Sequence, residues 1–168
     1  EINIKKWQRS LMIQSANQNE SKINLSKVWG ILIHDLLAKL ETAEDLDWII
    51  DEAYVLGRIN QYNIYLVKEI LTNILKHSAL SSFYKNEYTV WNERDILIPN
   101  KENIRLDRLM KSDDKMIIID YKTGKPKRED LNQIEHYQNT VIQMFNPKEI
   151  QSYLVYIHEN NEIEVVSI

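Results

Sequence analysis

Arg105-Leu106-Asp107-Arg108-Leu109 and, after a short polar interval, Ile117-Ile118-Ile119-Asp120-Tyr121-Lys122-Thr123-Gly124 are the two stretches on which the fold turns. Both are rich in β-branched and aliphatic residues, the composition of strands, and the Ser112-Asp113-Asp114 run between them is turn-prone. The pattern predicts strands over 103–110 and 115–122 joined as a hairpin. Alternate residues of a strand share a face, so Asp120 and Lys122 point one way while Ile119 and Tyr121 enter the opposite layer. A loop centred between Asp113 and Asp114 sets Asp107 directly across from Asp120. Like charges facing one another on a sheet are destabilising, and on so apolar a strand desolvation adds to the cost. A divalent cation between the two carboxylates would remove that penalty, and hard oxygen ligands suit Mg2+ or Mn2+. Two plainer readings stand beside this one: a register one residue different, in which the acids never meet, or simple pairing of the acids with Lys122 and Arg108.

Upstream of the hairpin the texture is helical. Leu25, Val28, Trp29, Leu32, Leu36, Leu37 and Leu40 recur at helical spacing, with Asn24 or Ser26 as the cap, and residues 44–59 and 62–76 continue in the same way. From Tyr84 through Tyr88, Val90, Ile96 and Ile98 the pattern becomes that of a strand. Beyond Gly124 and Pro126, residues 128–145 return to helical spacing and Pro147 stops them, before strands over 150–158 and 162–168. The order is helices, three strands, a helix and two strands: an α/β or α+β domain with a mixed sheet flanked by helices. We read residues 1–168 as one domain, mainly helical over 1–83 and sheet over 84–168. Trp7, Trp29, Trp48, Tyr54, Tyr62 and Tyr65 fall at helical spacing and are read as packing residues.

The chain of 168 residues, 43% hydrophobic, suffices for one core. With no cysteine, disulfides, thiolate zinc sites and iron-sulfur clusters are excluded. No apolar run approaches the ~20 residues of a membrane span, and Glu1 to Lys6 lack the apolar core of a signal peptide, so the expected setting is cytoplasmic with no membrane partner. The net charge of −4 hides an asymmetry. Acidic residues crowd 41–52, whereas Lys101, Arg105, Arg108, Lys111, Lys115, Lys122, Lys125, Lys127 and Arg128 gather in one segment that could meet a polyanion.

Asp107, then Asp120-Tyr121-Lys122-Thr123-Gly124, resembles the motif of the PD-(D/E)xK nucleases in its RecB and AddA version. Leu106-Asp107-Arg108-Leu109 and Ile118-Ile119-Asp120-Tyr121-Lys122-Thr123-Gly124 match it almost letter for letter. Gly30-Ile31-Leu32-Ile33-His34 is similar to the family's early helix, Glu93 stands where the family has a glutamate on the preceding strand, and Gln133 and Tyr137 match a Q-x-x-x-Y signature. Ile104 departs from the glycine often found there. The absence of cysteine excludes the iron-sulfur branch of the family.

The resemblance implies a restriction-endonuclease-like core and a metal-dependent deoxyribonuclease. Its metal ligands would be His34, Asp107, Asp120 and the Tyr121 carbonyl, and its catalytic residues Asp107, Asp120, Lys122 and Glu93. Gln133, Tyr137, Arg105, Arg108 and Lys125, with Lys127 and Arg128, would contact DNA. It further implies Mg2+ or Mn2+ as cofactor, exonucleolytic action on single strands in end processing and recombinational repair, and a parent chain carrying helicase motor domains, with an AddB-like subunit as partner. The rival from another class is a catalytically silent DNA-binding module of the same fold. A metal-free acid/base hydrolase using the two aspartates is a third reading, separable by chelator.

Overall fold

The computed structural model describes residues 18–96, 103–113 and 115–168. Among them four α-helices and five strands follow one another as α1 (Gln18–Leu37), α2 (Leu46–Val55), α3 (Ile64–Lys76), β1 (Thr89–Ile96), β2 (Ile104–Ser112), β3 (Lys115–Thr123), α4 (Arg128–Phe145), β4 (Glu149–Ile157) and β5 (Ile163–Ser167). The strands form one sheet in the order β1-β2-β3-β4-β5. β1–β2, β2–β3 and β4–β5 are antiparallel, and β3–β4 is parallel. A parallel pair needs a crossover, which α4 supplies. This is the mixed, helix-flanked α+β sheet expected from the sequence.

The centre of the sheet explains its most apolar strand. β3 is covered on both faces, so Met116 to Ile119 are all buried and the run does not alternate with polar residues. Ile117, Ile119 and Tyr121 join a core with Ile33, Leu36, Leu37 and the buried faces of α2 and α3. Met116 and Ile118 join a second core with Ile134, Tyr137 and Val141 of α4. Two apolar layers thus sandwich the sheet, and residues near the ends of β3 lie between them.

Several boundaries differ from expectation for local reasons. α1 begins at Gln18, so Asn24 and Ser26 lie inside the helix rather than capping it. A 3-10 turn, Ala43–Asp45, precedes α2, with Asp45 accepting the Thr42 N–H at 2.6 Å. Ser81–Tyr84 form another such turn, so β1 begins only at Thr89. α4 ends on Asn146, whose left-handed φ of 44° and N–H bond to the Ile142 carbonyl close the helix before Pro147 acts. Ile98 and Trp7 lie outside the described residues. Of the aromatics read as packing, Trp29 lies against the first core, but Trp48, Tyr54, Tyr62 and Tyr65 are exposed. Helical spacing alone does not tell a buried stripe from a second, outward one. No helix among the described residues is long and apolar enough to cross a membrane.

Candidate active site

The β2–β3 ladder runs from Ser112↔Lys115 to Arg108↔Ile119 and stops there. Beyond that point β2 is paired only to β1, through Ile104 to Leu106, and β3 only to β4, through Asp120 to Thr123. The two strands fork. Asp107 and Asp120 are the next residues on the two arms, in the register that sets them across from each other. Instead of a backbone rung, the Asp107 carboxylate takes the Tyr121 N–H at 2.8 Å through Oδ2. A side chain thereby satisfies a donor that the diverging strands would leave unpaired.

Two further donors reach the same fork from other elements. His34, in the last turn of α1, places Nδ1 3.6 Å from Asp107 Oδ2. That separation is too long for a hydrogen bond and makes an electrostatic contact. Glu93 lies in β1 across from Asp107, with a left-handed φ of 50°. The β1–β2 register is the same on either side of it, so no residue is inserted. A glutamate in that region carries strain of about 1–3 kcal/mol, which the surrounding sheet must hold. One ligand atom from each of His34, Glu93 and Asp107 lies within 4.8 Å of the others. Glu93 is also ion-paired with Arg105.

α1 can come this close to β3 because position 30 has no side chain. A Cβ on Gly30 would stand 2.8 Å from Thr123 Oγ1. Lys27, Gly30, Ile31, His34, Glu93 and Arg105 line a groove of about 450 Å3 that leads to Asp107. A larger groove of about 710 Å3 between α3 and the β4–β5 turn includes His77 and His158, but no trio of metal-binding groups forms there among the described residues.

The other arm of the fork is arranged differently. Asp120 is 3% exposed, and its Oδ2 is 2.7 Å from Lys122 Nζ. Burial, followed by the charge of Asp107, pushes the Asp120 carboxyl up to about 6, against the opposing pull of Lys122. Lys122 also donates to Gln133 Oε1 at 2.7 Å, and Gln133 Nε2 donates to the Tyr137 hydroxyl at 2.6 Å. Gln133 and Tyr137 thus connect α4 to Lys122. The imidazole of His34 is pulled upward by its contact with Asp107, opposed by burial and assisted by the charges of Asp120 and Glu93.

The donor set fits a divalent cation. Two carboxylates and an imidazole converge without a positive side chain among the three, and the buried Asp120 behind them holds a proton to an unusually high pH. Oxygen ligands match Mg2+ and Mn2+, and the imidazole favours the softer of the two.

The sequence profile of the PD-(D/E)XK nuclease superfamily matches residues 6–164. The chain belongs to this superfamily. Membership makes divalent-metal nuclease chemistry on DNA the family-level expectation, and the nuclease carries its motif aspartates, Asp107 and Asp120, on the two arms of the fork. No curated protein matches the chain significantly. Among solved structures, it is similar to the crystal structure of SSO0001 at 24% identity and a TM-score of 0.35, over 80% of this chain and 65% of that one. The chain therefore spans just under two thirds of that structure's length.

The expected site residues divide into those the fold brings together and those it does not. His34, Glu93 and Asp107 converge, Asp120 stands behind them paired with Lys122, and the Tyr121 N–H meets Asp107. Arg105, expected at a phosphate, is exposed and tied to Glu93. Lys125, Lys127 and Arg128 are exposed at the end of β3 and the start of α4. Tyr137, expected on the DNA strand, is instead largely buried in the second core with its hydroxyl on Gln133. Arg108 is the clear correction. It is fully buried and unavailable to a phosphate. Strand alternation already carried the signal, because neighbours face opposite sides and Arg108 could not share a surface with Asp107.

Proposed function

We propose that the nuclease is the DNA-cleaving domain of a RecB/AddA-type helicase-nuclease, hydrolysing phosphodiester bonds exonucleolytically on single strands during end processing and recombinational repair in the cytoplasm. The observation that carries this reading is the convergence of His34, Glu93 and Asp107 within 4.8 Å at the fork, beside the Asp120–Lys122 pair. Helicase motor domains in the parent chain and an AddB-like subunit are the partners this reading implies.

His34, Glu93 and Asp107, with Asp120 and the Tyr121 carbonyl in support, would hold Mg2+ or Mn2+, which would supply Lewis acidity for activating water and offsetting charge at the phosphate. Asp107 is aimed by the Tyr121 N–H, which fixes one of its oxygens. Lys122, held from two sides by Asp120 and Gln133, directs its remaining N–H toward the attacking water and the developing negative charge. Tyr137 fixes Gln133, and through it the Lys122 ammonium. Arg105, Lys125, Lys127 and Arg128 meet flanking phosphates, which gives affinity without sequence choice.

The test is degradation of linear and circular single-stranded DNA with Mg2+ or Mn2+, with EDTA, and by the Asp107→Ala and Lys122→Ala variants. Metal-dependent loss of the linear substrate alone, abolished in both variants, is the expected result. DNA binding with no cleavage under any metal would leave the silent module as the function.

A further inference from the structure

Arg108 is the largest fully buried side chain among the described residues, and it is a permanent cation. Burying an ion is tolerated only when its donors are satisfied. Here they are satisfied by two separate backbone segments. One terminal nitrogen donates to the Leu40 carbonyl at 2.6 Å, and the other to the carbonyls of Glu41 at 2.8 Å and Phe83 at 3.0 Å. Asn92 Oδ1 and the Met110 thioether accept at 3.3 and 3.2 Å. The guanidinium carbon lies 4.4 Å from the centre of the Tyr84 ring. Among the described residues, no carboxylate is a partner.

This arrangement differs from a charge pair in what it fixes. Five donors in a rigid planar fork specify where several carbonyls must stand. Leu40 and Glu41 follow directly on the end of α1, and a run of tight turns leads back from them: Leu40 N–H to Leu37, Lys39 N–H to Leu36 and Ala38 N–H to the His34 carbonyl itself. Asn92 adds a second tie, its Nδ2 donating to the same Leu40 carbonyl at 3.3 Å. Arg108 adjoins Asp107 in β2, and Asn92 adjoins Glu93 in β1. Each carboxylate of the trio thus has, as its chain neighbour on the far side of the sheet, a residue that grips the end of the helix bearing the third ligand.

We infer that Arg108 is a positioning residue: it docks the C-terminal end of α1 onto β1 and β2 and thereby sets His34 at ligand distance from Glu93 and Asp107. The inference rests on the metal-dependent reading of the site. It adds a role for a residue that touches neither metal nor DNA.

The experiment is titration of the metal-free protein with Mn2+ by calorimetry, without DNA, for wild type, Arg108→Lys, His34→Ala and the double variant. Lysine keeps the charge but carries its donors on a single nitrogen, so it cannot reproduce the planar fork whose two terminal nitrogens reach the carbonyls of Leu40, Glu41 and Phe83. Arg108→Lys is expected to weaken Mn2+ binding about tenfold, the scale of lost ligand orientation. If it acts through His34, the double variant binds no more weakly than His34→Ala alone. Unchanged affinity in Arg108→Lys, or losses that multiply, overturns the inference while leaving the metal site intact. Absence of Mn2+ binding by wild type overturns the metal-dependent reading and this one together. Should Arg108→Lys not fold, Asn92→Ala keeps the guanidinium and loosens only the second tie. It is expected to weaken Mn2+ binding severalfold in the wild-type background and not in His34→Ala, and no loss in the wild-type background, or an equal fold-loss in both, overturns the inference.

Discussion

Each arm of the β2–β3 fork carries one aspartate, and the two aspartates stand among different partners. On the α1 side, His34, Glu93 and Asp107 converge, and the exposed Arg105 is ion-paired with Glu93. On the α4 side, Asp120 is ion-paired with Lys122, which donates to Gln133, which in turn donates to Tyr137, while the buried Asp120 Oδ2 makes no hydrogen bond. Under the proposed function the first arm would bind the cation and the second would hold the Lys122 ammonium in place.

Separating the two arms by mutation should give the largest effect. Asp107→Ala removes a ligand and the partner of the Tyr121 N–H, so Mn2+ affinity and cleavage should fall together, cleavage by about 10³-fold or more. Lys122→Ala should lose cleavage by about 10²–10⁴-fold, the range for a positioned proton-handling group, while Mn2+ affinity changes only a few-fold. Calorimetry beside a cleavage assay checks both. Equal loss of metal binding in the two variants would show that the arms are one unit and the contrast between them is false.

A smaller effect tests whether the Asp120 arm is strained before metal arrives. The Asp120 carboxyl is pushed up to about 6 by burial and by the charge of Asp107. Its folded value exceeds the ordinary one, so protonation stabilises the fold. That stabilisation is complete below the ordinary carboxylate value and is lost as the pH rises through about 6. Metal-free protein should therefore lose of the order of 1–3 kcal/mol from this group between pH 4 and pH 7, and Asp120→Asn should lack that component. Thermal melts in EDTA across this range measure it. The slope with pH is the quantity to compare, because the variant also gives up its ion pair with Lys122. Identical slopes in wild type and variant would remove the claim of strain.

Much of this contrast was legible in the strand pattern, and the remainder was hidden for definable reasons. The hairpin and the opposition of Asp107 and Asp120 follow from the turn at 112–114 and the period of two. The fork does not, since nothing local marks where two strands stop pairing; it is decided by β1 and β4 claiming the outer halves of β2 and β3. Glu93 shows the same limit, for its left-handed backbone is imposed by the sheet and not by a glutamate's preference. Arg108 departs from the phosphate contact expected of it for a reason the strand itself contains. Its charge suggested a phosphate, whereas its parity in the strand placed it on the face opposite Asp107. The exposed Tyr54, Tyr62 and Tyr65 mark the converse failure, aromatic residues at helical spacing that the fold leaves outside.

The smallest expected effect bears on why the Asp107 arm closes to ligand distance at all. Glycine inside a helix costs about 1 kcal/mol relative to alanine, so Gly30→Ala on a helix with free space around it should stabilise the protein. Here the new Cβ meets Thr123 Oγ1 at 2.8 Å, and either the threonine turns aside or α1 retreats from β3. His34 lies one turn further along the same face, so a retreat of a few tenths of an ångström draws the imidazole away from Asp107 while leaving both cores packed. Gly30→Ala should then weaken Mn2+ binding by about tenfold or less with little change in Tm, and adding Thr123→Ala should restore the affinity and keep the helical gain. Full affinity in the single variant would mean that Thr123 yields and α1 does not move. The placement of His34 would then depend on the carbonyl grip at the far end of the helix rather than on the close approach at its middle.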